Sequence, residues 1–214
     1  MPRATHAEVS EHLATQRYFD REFAREAVKV LPGEYYVSAR GEAIVTVLGS
    51  CVAACIRDVR LGVGGLNHFM LPGGGAGCQV SSASARYGVF AMEVLLNHLL
   101  KMGAQRQYLE AKVFGGGNVV ASLSRSDVGA RNAEFVRDYL ATEDIALVAE
   151  DLMDDHARKV VFFPATGRAM VKRIGASSQS AELQREWMYQ RRLLAAPIAG
   201  EVELFDAEPI RRRR

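Results

Sequence analysis

Long apolar runs are missing from this 214-residue chain. Pieces such as Val160 to Phe163 fall far short of the roughly 20 residues that a bilayer-spanning helix needs, so no membrane insertion is expected. A charge excess is missing too. Twenty-seven basic residues against 25 acidic ones leave a formal charge of +2, which makes no bulk electrostatic case for nucleic acid. The one dense basic run, Arg211 to Arg214, reads as a solvated tail. Cysteine is scarce and odd in number, with three copies, so no disulfide framework is expected, and the first residues lack an apolar secretory segment. A reducing cytoplasm is therefore the expected setting, where any special cysteine is a thiol. What remains is ordinary: 49% hydrophobic and 24% charged residues exclude disorder as the main state and describe a soluble globular chain.

Residues 1–28 are polar, with a helix-compatible pattern through Leu13, Tyr18, Phe19, Phe23 and Ala27 but no strong apolar face. They read as an N-terminal extension. A core domain is expected over 29–175. In it, Ile44 to Leu48 is a buried-strand candidate, and Cys51 to Ile56 fits a short helix or a second strand equally well. A further strand runs through Asn67 and His68 to Pro72 and into a glycine-rich loop, Gly73 to Gly77. Apolar residues at helical spacing from Val89 to Leu100, stopped by Gly103, predict a helix over Tyr87 to Met102. A strand at Leu109 to Phe114, a helix from Ala130 to Leu140 and a strand at Ile145 to Ala149 follow. Lys159 to Phe163 and Ala169 to Ile174 predict a hairpin. The C-terminal arm, 176–214, loses apolar periodicity apart from a helix over Ala181 to Leu194 that carries the only tryptophan, Trp187. Strands and helices do not alternate regularly, which predicts an α+β sandwich of mixed β-sheets flanked by helices rather than a doubly wound parallel sheet.

The glycine clusters Gly73 to Gly77 and Gly115 to Gly117 lack the endings and spacings of nucleotide-binding loops and read as turns. Cys51, Cys55, Cys78 and His68 are enough ligands on paper for zinc, but only two of them stand close together, so no metal site and no cofactor are expected. Cys51 has a more particular setting. Leu48-Gly49-Ser50-Cys51 puts a thiol just past a strand, on a turn that glycine makes permissive. A helix starting after Ser50 would supply N–H groups both for a thiolate and for the oxyanion of an acyl-transfer intermediate. The base that such a nucleophile needs is His68, returning beside it on a neighbouring strand. Taken alone, a structural role is the favoured reading for either residue.

The strings Val47-Leu-Gly-Ser-Cys-Val-Ala-Ala-Cys55, Gly64-Gly-Leu-Asn-His-Phe-Met-Leu-Pro72, Arg86-Tyr-Gly88, Ala111-Lys-Val-Phe-Gly-Gly-Gly117, Gly129-Ala-Arg-Asn132 and Thr166-Gly167 together resemble the chemoreceptor glutamine deamidases of bacterial chemotaxis, the CheD family. The resemblance implies a catalytic Cys51, His68 and Thr46, although Thr46 also fits a strand residue chosen for β-propensity. It departs at Asp151-Leu-Met-Asp154, where family members carry a glycine pair after Asp-Leu, so Met153 and Asp154 imply a differently shaped loop. The fold implied is again an α+β sandwich of the cysteine-hydrolase type.

In the implied reaction Cys51 attacks a glutamine side-chain amide, ammonia leaves and water releases glutamate. Backbone N–H groups near Ser50 and Cys51 would hold the oxyanion. Thr46 would orient the imidazole, with Asn67 as a rival for that role. The implied substrates are cytoplasmic domains of methyl-accepting chemotaxis receptors, and a CheC-type phosphatase is an implied partner. Two other classes stay open: a non-catalytic adaptor, and a methylesterase releasing methanol from methylated receptor glutamates.

Overall fold

The computed structural model describes residues 12–71, 82–119, 128–175 and 180–195. The glycine-rich loop after Leu71, Cys78 and the basic tail lie outside them. Two five-stranded mixed sheets are stacked, with helices on the outer face of one. The first has the order β3(Tyr35–Ser38), β6(Gly64–Asn67), β5(Val52–Asp58), β7(Leu109–Gly115), β8(Ala146–Leu152). Its pairs are antiparallel except β7 with β8. The second has the order β1(Gln16–Asp20), β2(Arg25–Lys29), β4(Ala43–Leu48), β9(Ala157–Phe163), β10(Arg168–Ile174), with β2 and β4 parallel. The expected α+β sandwich is the architecture found.

Strand alternation explains the layers. In β5, Val52, Ala54 and Ile56 pack on Met92, Leu95 and Leu99 of α1(Ser82–Lys101) and Val136 and Leu140 of α2(Val128–Thr142). The intervening Ala53 and Cys55, with Cys51 before them, face the second sheet, against Ile44 and Leu48 of β4 and Val160 and Phe162 of β9. Successive side chains of a strand point to opposite faces, so a central strand covered on both sides reads as an unbroken apolar run. That run is also why Cys51 to Ile56 suited a helix as well as a strand. The structure forms the strand, and no helix starts after Ser50. The first long helix starts at Ser82, earlier than the predicted Tyr87, and stops before Gly103 as expected, where φ of 98° belongs to the left-handed C-cap.

Corrections fall at the edges. The helix-compatible segment before residue 29 is instead a hairpin, β1 and β2, turned on Asp20, whose Oδ1 accepts the N–H groups of Glu22 and Phe23. Pairing with β4 buries Ala27 and Val28 completely. That burial outweighs the weak helical pattern, as tertiary context does for any marginal propensity.

In the loop from Asp151 to His156, Met153 and Asp154 have φ of 69° and 73°, a left-handed backbone that glycine adopts without steric cost. Arg158, fully buried on β9, holds it by donating to Asp151 and to the carbonyl of Met153. A methionine in the left-handed region costs about 1 kcal/mol or more. Met153 is 43% exposed and loses little packing on truncation. Met153→Gly is therefore expected to stabilise the protein by about 0.5 to 1 kcal/mol net of the added unfolded-state entropy, read as a higher midpoint in urea unfolding.

Candidate active site

Cys51, His68 and Thr46 come together between the sheets. On β4, Thr46 lies between the inward-facing Ile44 and Leu48 and is fully buried. His68 follows β6 with the parity of Leu66 and Met70, which also face the second sheet. Its Nδ1 lies 2.8 Å from Thr46 Oγ1, and Thr46 Oγ1 lies 2.8 Å from the carbonyl of Val30. A hydroxyl has one proton to give. Val30 takes it, so Thr46 accepts from Nδ1–H and the lone pair of the imidazole is left on Nε2. Among the described residues Nε2 is buried without a hydrogen-bond partner. Burial pushes the His68 pKa down to about 3, with the Val30 carbonyl opposing, so the ring is a neutral base.

Asn67 takes no part in orienting His68. Adjacent residues of a strand face opposite ways, and its amide turns to the helix side. There its Oδ1 accepts from Ala54 N–H at 3.0 Å, and its Nδ2 donates to the carbonyl of Ala91 at 3.0 Å and to Met92 Sδ.

The Cys51 turn is held by backbone from two directions. Gly116 N–H donates to the carbonyl of Cys51 and Gly117 N–H to that of Gly49, both at 2.7 Å. This approach requires glycine at 115, where φ is 110° and an added Cβ would collide with the Cys51 carbonyl oxygen. Those glycines are fastened in turn to the loop that Arg158 holds, since Met153 N–H donates to Gly115 and Asn118 N–H to Asp154. The glycine run read as a turn is thus the cradle of Cys51.

Asn132 closes the Gly129-Ala-Arg-Asn132 string, and nothing in its local pattern marks it for a role in the site. Fully buried on α2, it donates from Nδ2 to the Ser50 carbonyl at 2.8 Å and accepts Leu71 N–H at 2.9 Å. It is a positioning residue. Asn132→Ala leaves both backbone groups unpaired and is expected to destabilise the protein by about 1 to 3 kcal/mol. A small displacement of Cys51 is expected to lower kcat by about 100-fold with little change in KM, a split that a merely structural loss would not produce.

The largest departure is Glu186. It lies on α3(Ser180–Ala195) in the arm that the sequence leaves without a role, yet it is only 5% exposed. Its carboxylate accepts Gly49 N–H at 2.6 Å, Ser50 N–H at 2.9 Å and the Ser50 hydroxyl at 3.1 Å, and it lies 4.0 Å from His68 Nε2. The backbone donors that converge on Glu186 are Gly49 and Ser50, and Ser50 is one of the pair that the sequence suggests. Burial, and after it the Glu186 charge, push the Cys51 thiol well above its ordinary value. The donor atoms of Cys51, His68 and Glu186 all lie within 4.8 Å of one another, a set that has the spacing for a soft metal ion. Chemically, a thiol, a neutral base and two N–H groups aimed at one carboxylate are the parts of an acyl-transfer site.

A family model described as CheD chemotactic sensory transduction matches residues 70–173. The match begins just after His68. Three relatives align over nearly the whole chain and so span the site. One, named Probable chemoreceptor glutamine deamidase CheD 1, from Dechloromonas aromatica, is 59% identical over 91% of this chain and 96% of its own. Proteins named Probable chemoreceptor glutamine deamidase CheD from Janthinobacterium sp. and Thiobacillus denitrificans are 56% and 58% identical. They cover 91% and 92% of this chain and 97% and 98% of their own.

Proposed function

Because the chain belongs to the CheD family, we propose that it is a chemoreceptor glutamine deamidase with Cys51 as nucleophile, His68 as base and Thr46 as the group that orients the base. The observation that supports this best is the His68 ring. Thr46 holds its Nδ1–H, so the bare Nε2 faces the Cys51 thiol beside two convergent N–H groups.

The substrate is a glutamine side chain on a receptor cytoplasmic domain. His68 Nε2 takes the Cys51 proton as Sγ attacks the amide carbon, and Gly49 and Ser50 N–H stabilise the tetrahedral oxyanion. The proton passes to the departing nitrogen, ammonia leaves and a thioester remains. His68 then draws a proton from water, which attacks the thioester, and glutamate and the free thiol are released. Amide and water become acid and ammonia, with every proton carried by groups of this chain. On a coiled-coil receptor the change places a negative charge where a neutral amide stood and creates a glutamate open to methylation, a physical route to altered signalling. The same family reading brings a CheC-type phosphatase as partner and a cytoplasmic setting. In keeping with that, no helix among the described residues is long and apolar enough to cross a membrane.

The test is mass spectrometry on a receptor cytoplasmic fragment incubated with the protein. A gain of about one mass unit at particular glutamines, with release of ammonia, is the amide-to-acid change expected of acyl transfer to water. Methanol released from methylated fragments without that gain would make the protein an esterase. Binding with no chemical change would leave the adaptor reading.

A further inference from the structure

The C-terminal helix α3 is amphipathic around a single seat. Glu186, Tyr189 and Leu193 lie on one face, as residues three and four apart do. Tyr189 and Leu193 pack against the cluster between the sheets. The Tyr189 hydroxyl bonds that of Tyr87, and its ring lies over Gly33, where an added Cβ would come within 2.7 Å of the Tyr189 hydroxyl oxygen. At Gly49 an added Cβ would lie 2.8 Å from the Glu186 carboxylate. Two glycines thus leave room for the two side chains with which α3 enters. Between them Glu186 delivers a carboxylate to a place where, among the described residues, no lysine or arginine pairs with it. A buried carboxylate without a cation is expensive unless hydrogen bonds replace its water, and here the replacement comes from the donors that the reaction needs for its oxyanion.

The geometry points to α3 as an intramolecular product mimic: the Glu186 side chain, a glutamate on a helix, occupies the place of the glutamate that deamidation leaves on a receptor helix. The site is thereby closed until α3 lifts away. The inference rests on the deamidase reading above, but the occlusion it describes is testable without it. While Glu186 is in place the N–H donors are taken, and its negative charge beside the Cys51 thiol disfavours the thiolate. A receptor helix must displace α3 to reach Cys51, so the activity of the whole protein is set by the fraction of molecules with α3 detached.

Three full-length variants test this. In Glu186→Ala the plug loses its anchor, and alkylation of Cys51 by iodoacetamide, told apart from Cys55 by fragment ions of the peptide that carries both, is expected to quicken by about tenfold or more as the open population grows. Cys55, buried on β5, serves as the folding control and should stay unreacted. Deamidation of a receptor fragment should rise by a similar factor. In Glu186→Gln the side chain in the site becomes a substrate. The introduced glutamine is expected to revert to glutamate with a gain of about one mass unit, at a rate independent of protein concentration. No reversion is expected when Cys51→Ala is added.

Unchanged Cys51 alkylation in Glu186→Ala, with Cys55 still protected, would overturn the occlusion. If that variant also exposes Cys55, the fate of the side chain in Glu186→Gln decides instead: an amide that persists there, in a protein active on receptor fragments, would overturn the product-mimic geometry. Faster Cys51 alkylation with no receptor deamidation by any form would keep the plug and remove the deamidase reading.

Discussion

Replacing Cys51 by alanine is expected to remove receptor deamidation, with a fall in kcat on the order of 10⁴-fold or more. In the proposed mechanism the thiol forms the bond that breaks the amide, with His68 beside it. The loss should be purely chemical. The Cys51 backbone is held by Gly116 N–H, and its neighbour Val52 exchanges hydrogen bonds with Phe69, none of which involves the sulfur. Stability is expected to fall by no more than about 1 kcal/mol, the ordinary scale for a small buried change. The comparison of single-turnover rate with urea midpoint for the two proteins checks both halves. A Cys51→Ala protein that still converts glutamine at the parental rate would sink the assignment of the nucleophile.

The second large effect falls on the base. His68→Ala is expected to lower kcat by roughly 10² to 10⁴-fold, the range for loss of a positioned proton carrier. Thr46→Val, which keeps volume and strand propensity but removes the acceptor for Nδ1–H, isolates the orienting role. The imidazole then has no fixed tautomer, and kcat is expected to fall by about 100-fold. That is less than the loss of a charged third group produces elsewhere, because a neutral hydroxyl stabilises imidazolium less than a carboxylate does. Thr46→Ser restores the hydroxyl and should recover most of the rate. If Thr46→Val and Thr46→Ser behave alike, Thr46 is a strand residue and nothing more.

Much of this was legible in the residues. The helix ending at Gly103 is a periodic pattern with its own stop signal, and α1 follows it. β4 and β9 are short β-branched and aromatic runs, and they form where expected. Less legible were places where a short segment's preference is weak and a distant partner decides. Cys51 to Ile56 is apolar throughout because sheet and helices cover it from both sides, which hides the period that would have named it a strand. Asn67 and His68 are neighbours in sequence, and only the sidedness of the strand assigns one to the helices and the other to the nucleophile.

Local chemistry in the sequence determined the cast: a thiol on a glycine turn, a histidine at a strand end, a threonine in a strand, and a string of motifs that point to one family. Tertiary structure alone decided which of them meet. Thr46 belongs to one sheet and Cys51 and His68 to the other, so their contact exists only when the sheets stack. Glu186 lies far along the chain, in a helix with little apolar signature of its own, and no local pattern can report that its carboxylate accepts the Gly49 and Ser50 N–H groups. Short-range preferences are written in neighbouring residues, whereas the electrostatics of a buried site come from charges brought together by packing, which no window along the sequence contains.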